Sequence, residues 1–129
     1  MTRRTIEGLV ITGEGIGRKI GFPTANIKLD KGVRPPRGVW RVYVSSDRFE
    51  ERLAVCNVGR RPTLNGRSLC VEVHIPKFRG NLYGQTLKIR FDSAIRAEKK
   101  FDSIEQLKHQ IKRDIASLTT SPPTVTMNA

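Results

Sequence analysis

Three short stretches hold residues whose types and spacing could do chemistry. The first is Gly13-Glu14-Gly15-Ile16-Gly17, followed by Arg18 and Lys19. Closely spaced glycines let backbone N–H groups approach phosphate oxygens, and the two cations add charge to such a cradle. It is not a Walker loop, because no Gly-Lys-Ser/Thr follows. Nor is it a dinucleotide fingerprint, because Gly21-Phe22-Pro23 forbids the helix that should open there. Alone, a flexible hairpin loop accounts for it better. The second stretch is Phe22-Pro23-Thr24-Ala25-Asn26-Ile27. The proline forces an extended backbone, so Thr24 and Asn26, two apart, point the same way. Their hydroxyl and amide oxygens are hard, neutral ligands, suited to a magnesium ion that already carries phosphates and water. An ordinary turn with Asx and Thr hydrogen bonds is the competing account. The third is Glu72, whose carboxylate either meets solvent or lines a pocket. Alone it reads as an ordinary exposed strand glutamate.

These residues must be placed by strands. Thr5–Thr12, Val39–Val44, Leu53–Val58, Leu69–Ile75 and the stretch around Leu87–Phe91 read as short β-segments. In two of them apolar residues alternate strictly with polar ones: Leu69, Val71, Val73 and Ile75 oppose Cys70, Glu72 and His74, and Leu87, Ile89 and Phe91 oppose Lys88, Arg90 and Asp92. Leu53–Val58 is a short, mostly apolar run, consistent with a strand buried on both faces. Turn signals separate the runs at Pro35-Pro36-Arg37-Gly38, Asn65-Gly66 and Gly80-Asn81. Strands at this spacing without intervening helices argue for an antiparallel barrel or sandwich. One helix follows. Ile104, Leu107, Ile111, Ile115 and Leu118 form an apolar stripe, with Asp102 or Ser103 as cap and Glu105 or Gln106 completing a capping box. The helix is expected to close one opening of a barrel. Residues 119–129 have no pattern and are expected to be a disordered tail after a domain spanning 1–118.

Composition bounds the partners. The chain has 129 residues, 37% hydrophobic and 28% charged, which suits one globular domain. No apolar run approaches the roughly 20 residues that span a bilayer, and no apolar stretch follows the basic start, so a cytoplasmic location is expected. Cys56 and Cys70 fit no metal spacing and are too few for a disulfide framework. The net charge of +12 concentrates anions of any kind, without choosing among nucleic acid, an anionic membrane and a phosphorylated small molecule.

The order of the pieces narrows the choice. The run Gly8–Ile27, with Gly-Glu-Gly-Ile-Gly-Arg-Lys-Ile-Gly-Phe-Pro-Thr-Ala-Asn-Ile, closely resembles the signature of the riboflavin kinase (flavokinase) family. The resemblance continues through Pro35-Pro36-Arg37-Gly38-Val39-Trp40, Asn57-Val58-Gly59-Arg60-Arg61-Pro62-Thr63, Val71-Glu72-Val73-His74-Ile75 and Leu82-Tyr83-Gly84. It ends in Ile95-Arg96-Ala97-Glu98-Lys99-Lys100-Phe101-Asp102-Ser103. Departures are Trp40 in place of a tyrosine, a short stretch between Pro62 and Leu69, and Pro76-Lys77-Phe78 where an aspartate-containing step is usual.

The resemblance implies a mainly β fold, a six-stranded antiparallel Greek-key β-barrel with a C-terminal α-helix. It implies ATP-dependent phosphorylation of riboflavin at the ribityl 5′-hydroxyl, giving FMN and ADP with Mg²⁺ assistance. Carried over residue by residue, Glu72 is the catalytic base, and Thr24 and Asn26 bind metal and nucleotide phosphates. Gly13, Gly15, Gly17 and Arg18 form a flap over ATP, and Tyr83 lies near the nucleotide. Arg96, Lys99 and Phe101 belong to the flavin-binding loop. Bacterial relatives often carry an FMN adenylyltransferase domain as well, so the resemblance implies a kinase-only protein or an excised kinase module, expected to be a monomer. The rival is a small basic barrel that binds nucleic acid or regulates in response to flavin. An aromatic content of 6%, mostly in expected core strands, argues against base stacking there.

Overall fold

The chain forms six antiparallel strands: β1 (Thr5–Ile11), β2 (Ala25–Leu29), β3 (Gly38–Ser46), β4 (Phe49–Thr63), β5 (Gly66–His74) and β6 (Thr86–Arg96). They close into a barrel in the order β1-β2-β5-β4-β3-β6, with β6 returning to β1. The computed structural model describes residues 4–11 and 21–118. The glycine stretch with Gly13, Gly15, Gly17 and Arg18, and the tail expected over 119–129, lie outside the described residues.

β3, β4 and β5 form a meander through two-residue turns, closed by the pairs Ser46↔Phe49 and Thr63↔Gly66. β2 returns to pair with β5 rather than β3, which makes the Greek key. β4 runs for 15 residues, well beyond the apolar stretch that marks it in the sequence. Its ends carry Glu50, Glu51, Arg60 and Arg61, charged residues that hide a strand from hydrophobic periodicity although the backbone pairing continues.

Period-2 side-chain geometry sorts the faces. Val42, Val44, Ala54, Cys56, Val58, Leu87 and Ile89 point into the barrel and are fully buried. Trp40 packs edge-on against Phe91 at 5.7 Å. Gly8 lets β1 cross β2 closely, since a Cβ there would strike the Ile27 side chain and lie 2.8 Å from the Lys28 carbonyl oxygen.

The helix, α1 (Ile104–Leu118), starts as its sequence predicts. Ser103 Oγ accepts from the Gln106 N–H at 3.1 Å, and Gln106 Oε1 accepts from the Asp102 N–H at 3.3 Å. Its position differs from expectation. Instead of closing a barrel opening, α1 lies on the outer wall, where Leu118 and Ile115 pack on the outward-facing Val39 and Val55. The physical reason is that the barrel's own side chains fill its interior, while Val39 and Val55 leave an apolar patch outside. Val55 is thereby covered, which accounts for a β4 segment apolar on both faces. Arg41 Nη1 donates to the Leu118 carbonyl at 3.1 Å, satisfying a helix-end acceptor. Ile104 remains exposed, and Leu107 and Ile111 are only half-buried. Among the described residues no helix is long and apolar enough to cross a membrane.

Candidate active site

The register of three neighbouring strands places the chemistry. On the outer wall Glu72 of β5 stands directly opposite Asn26 of β2 on one side and Asn57 of β4 on the other. Thr24, just before β2, and His74, two residues along β5, extend this polar row. The approach to β2 is tied down by His74, whose Nδ1 lies 2.7 Å from the Pro23 carbonyl oxygen. Since a carbonyl only accepts, that nitrogen carries a proton. Phe22 meets the imidazole edge-on at 6.0 Å.

The wall, the segment from Arg96 to Phe101 and α1 together enclose a cleft of about 440 Å³. Asn26, Glu72, His74 and Asn57 line its polar side, and Leu107, Ile111 and Ile115 its apolar side. Arg96 is held by Asp114 of α1, and its guanidinium lies 5.7 Å from the Phe101 ring centroid, as does Lys99 Nζ. Glu98, paired with Arg37 at 2.7 Å, lays its carboxylate over Gly59, so a Cβ there would require the Glu98 side chain to move. Glu72 Oε2 is paired with Arg61 Nη2 at 2.6 Å. Five cations (Arg60, Arg61, Arg96, Lys99, Lys100) face three carboxylates in this cleft. Each carboxylate has an arginine partner, so the remaining field is positive and favours an anionic ligand.

A second cleft, of about 220 Å³, opens on the far side of the β2 start. Thr24 and Asn26 line both clefts and form the ridge between them. Tyr83 lines the second, in a loop pinned by Asn81 Oδ1 accepting the Tyr83 N–H at 2.8 Å and by Val10 O accepting the Gly84 N–H at 3.0 Å.

The structure thus brings together Glu72, Thr24, Asn26, Arg96, Lys99 and Phe101 in one cleft, with Tyr83 across the ridge. Sequence reasoning gave no role to Asp114, and noted Asn57, Arg61 and His74 only as parts of motifs or of an alternating strand. Asp114 carried a signal: it lies three residues after Ile111 and four before Leu118, inside the apolar stripe, where an exposed acid does not belong. The adjacency of Asn57 to Glu72 is set by register and has no local signature.

The donor set has the chemistry of a metal that arrives with phosphates. Among the described residues no cluster of three or more His, Cys, Asp or Glu could cage an ion. Thr24 and Asn26 instead present two neutral hard oxygens, which fits a magnesium ion already carrying phosphate oxygens. On the barrel's inner side, burial pushes the Cys56 thiol pKa up, and the Glu72 charge adds to the effect.

The sequence profile of the flavokinase (riboflavin kinase) family matches residues 2–121. The chain belongs to the riboflavin kinase family. It is 46% identical over 110 residues to a bifunctional riboflavin kinase/FMN adenylyltransferase of Haemophilus influenzae, covering 85% of this chain and 36% of that protein. With the bifunctional riboflavin kinase/FMN adenylyltransferase of Escherichia coli K12 it shares 40% identity over 109 residues, covering 84% of this chain and 35% of that protein. The chain therefore spans about a third of the length of these curated relatives. Among solved structures, riboflavin kinase from Trypanosoma brucei superposes with a TM-score of 0.61 at 26% identity, over 92% of this chain and 79% of that one. A crystal structure described as a macrolide-efflux protein from Streptococcus pneumoniae superposes with a TM-score of 0.85 at 34% identity, over 94% of this chain and 40% of that one. The barrel expected of a riboflavin kinase is the fold observed.

Proposed function

We propose that this chain transfers the γ-phosphoryl group of ATP to the ribityl 5′-hydroxyl of riboflavin, giving FMN and ADP. The observation that carries the reading is the polar row Asn26–Glu72–Asn57, which lies where two clefts meet across the Thr24–Asn26 ridge. Phosphoryl transfer asks a protein for positioning and charge neutralisation more than for covalent chemistry. The larger cleft has an apolar side and a planar cation beside an aromatic ring, a setting that suits the isoalloxazine. The nucleotide occupies the second cleft, with its base toward Tyr83 and its phosphates at the ridge.

In this arrangement the ribityl chain runs along the polar row and brings its terminal hydroxyl to Glu72. The carboxylate takes the hydroxyl proton as the oxygen bonds to the γ-phosphorus, and the bond from phosphorus to the β–γ bridging oxygen breaks to release ADP. A base of this kind contributes about 10²–10⁴-fold. Magnesium held by Thr24 and Asn26 would neutralise charge on the phosphates. Asn57 and His74 keep the row polar and fixed, and the apolar side of α1 keeps water from the ring. Gly13, Gly15, Gly17 and Arg18 are assigned to the cover over the phosphates, and Lys99 to the flavin side. The reading includes action in the cytoplasm as a monomer, without a nucleic-acid partner.

The test is direct. Purified protein incubated with riboflavin, ATP and magnesium should form FMN and ADP in equal amounts, separable by chromatography. Folded protein that forms no FMN would overturn the reading.

A further inference from the structure

α1 carries a buried acid beside the apolar residues that anchor it. The apolar anchors are Leu118 and Ile115, and Asp114, next to Ile115 and one turn before Leu118, is only 3% exposed. Taking a carboxylate out of water is costly unless its oxygens are fully paired. Here they are. Oδ1 accepts from Arg96 Nε at 3.0 Å and from Gln110 Nε2 at 2.9 Å, and Oδ2 accepts from Arg96 Nη2 at 2.8 Å. The third guanidinium nitrogen, Nη1, donates to the Ala97 carbonyl at 3.2 Å.

We propose that Asp114, braced by Gln110, is a positioning residue that sets the Arg96 guanidinium for a flat heteroaromatic ring in the larger cleft. The inference rests on the riboflavin reading and adds a residue to it. A guanidinium has five N–H donors in a rigid fork. The fork–fork pair with Asp114 fixes its plane, and the bond to Ala97 fixes its remaining end. Among the contacts of the described residues, one N–H on each terminal nitrogen stays uncommitted. These donors match carbonyl oxygens at the edge of a ring such as isoalloxazine, while the Phe101 ring, 5.7 Å away, supplies a stacking surface. An arginine without this clamp would have to be ordered at the moment of binding, which weakens affinity.

The competing account makes the pair a clasp that only ties the 96–101 segment to α1, and substrate-specific measurements separate the two. Asp114→Asn keeps the shape and removes the charge. It should raise the riboflavin KM about tenfold or more, while kcat and the Mg–ATP KM stay within about threefold of wild type. Lumiflavin, the ring without the ribityl chain, serves as a binding probe read by fluorescence quenching with Mg–ADP present. Its affinity should fall by a similar factor. Combining Asp114→Asn with Arg96→Ala should add little to the loss from Arg96→Ala alone. If Asp114→Asn does not fold, Gln110→Ala carries the test with an expected riboflavin KM increase of about two- to threefold. An unchanged riboflavin KM, or flavin and nucleotide constants that worsen together, would overturn the positioning role while FMN formation by wild type stands. Wild type that forms no FMN would instead overturn the activity reading, and this proposal with it.

Discussion

The Glu72 carboxylate is paired with the Arg61 guanidinium at 2.6 Å on the outer wall of the barrel, and both side chains keep contact with solvent, at 24% and 44% exposure. A pair this wet contributes at most about 1 kcal/mol, so a substrate hydroxyl can displace it at little cost. Arg61→Gln should therefore shift unfolding stability by less than about 1 kcal/mol, measured by urea titration. Glu72→Gln should leave thermal stability and nucleotide affinity near wild type while turnover falls about 10²-fold or more. Near wild-type turnover in that variant would remove Glu72 from the chemistry.

Thr24 and Asn26 form the ridge between the two clefts, so the loss of either should be felt through magnesium. Thr24→Ala and Asn26→Ala should each weaken magnesium-dependent ADP binding by about tenfold, with little change in fold. Asn26→Asp should not restore it, since added negative charge opposes the phosphates. Unaltered Mg–ADP titrations in both alanine variants would assign the pair to a structural turn.

The two cysteines should differ in reactivity. Cys56 is fully buried in the barrel, whereas Cys70 is half-buried and lines the larger cleft. Native protein treated with iodoacetamide should be modified at Cys70 alone, as read by peptide mass spectrometry, and riboflavin with Mg–ADP should slow that reaction. Labelling of Cys56 without denaturant would contradict the packing of the barrel.

Cys56 also gives a pH signature. Its pKa is raised in the folded state, so the folded protein retains a proton that the unfolded chain loses near its ordinary value of 9.0. The unfolded state then binds fewer protons, and stability falls as pH rises past that value. The full contribution is present below about pH 9. Wild type and Cys56→Ala, compared by denaturant unfolding, should converge by about 2 kcal/mol between pH 8 and pH 10.5. A gap that stays constant over this range would mean that the thiol ionises freely in the fold.

Much of the barrel was legible because β5 and β6 each carry polar residues along one face. The alternation of Leu69–Ile75 and of Leu87–Phe91 could be read without a template, and so could the cap at Ser103. The docking position of α1 could not. Val39 and Val55 look like any strand valines, and whether they point in or out depends on barrel closure. The ends of β4 were hidden by charges that only a long hairpin arm tolerates. The candidate site was legible by a different route. Glu72, Thr24 and Asn26 each have an ordinary explanation, and only their order along the chain, matched to a family, set them apart. Asn57 and His74 gain meaning from cross-strand neighbours that lie far away in sequence.

The separation between the barrel interior and the small apolar contact under α1 implies two tiers of opening. Undocking the helix exposes chiefly Leu118, Ile115, Val39 and Val55 and leaves the inner packing intact. Backbone amides of α1 should therefore exchange with deuterium through a lower free-energy barrier than those of β3 and β6, in a sub-global event. That event would dismantle one whole side of the larger cleft while the strands stay paired. A ligand spanning wall and helix would close this gap in protection, and the added protection in α1 would then measure occupancy of the cleft.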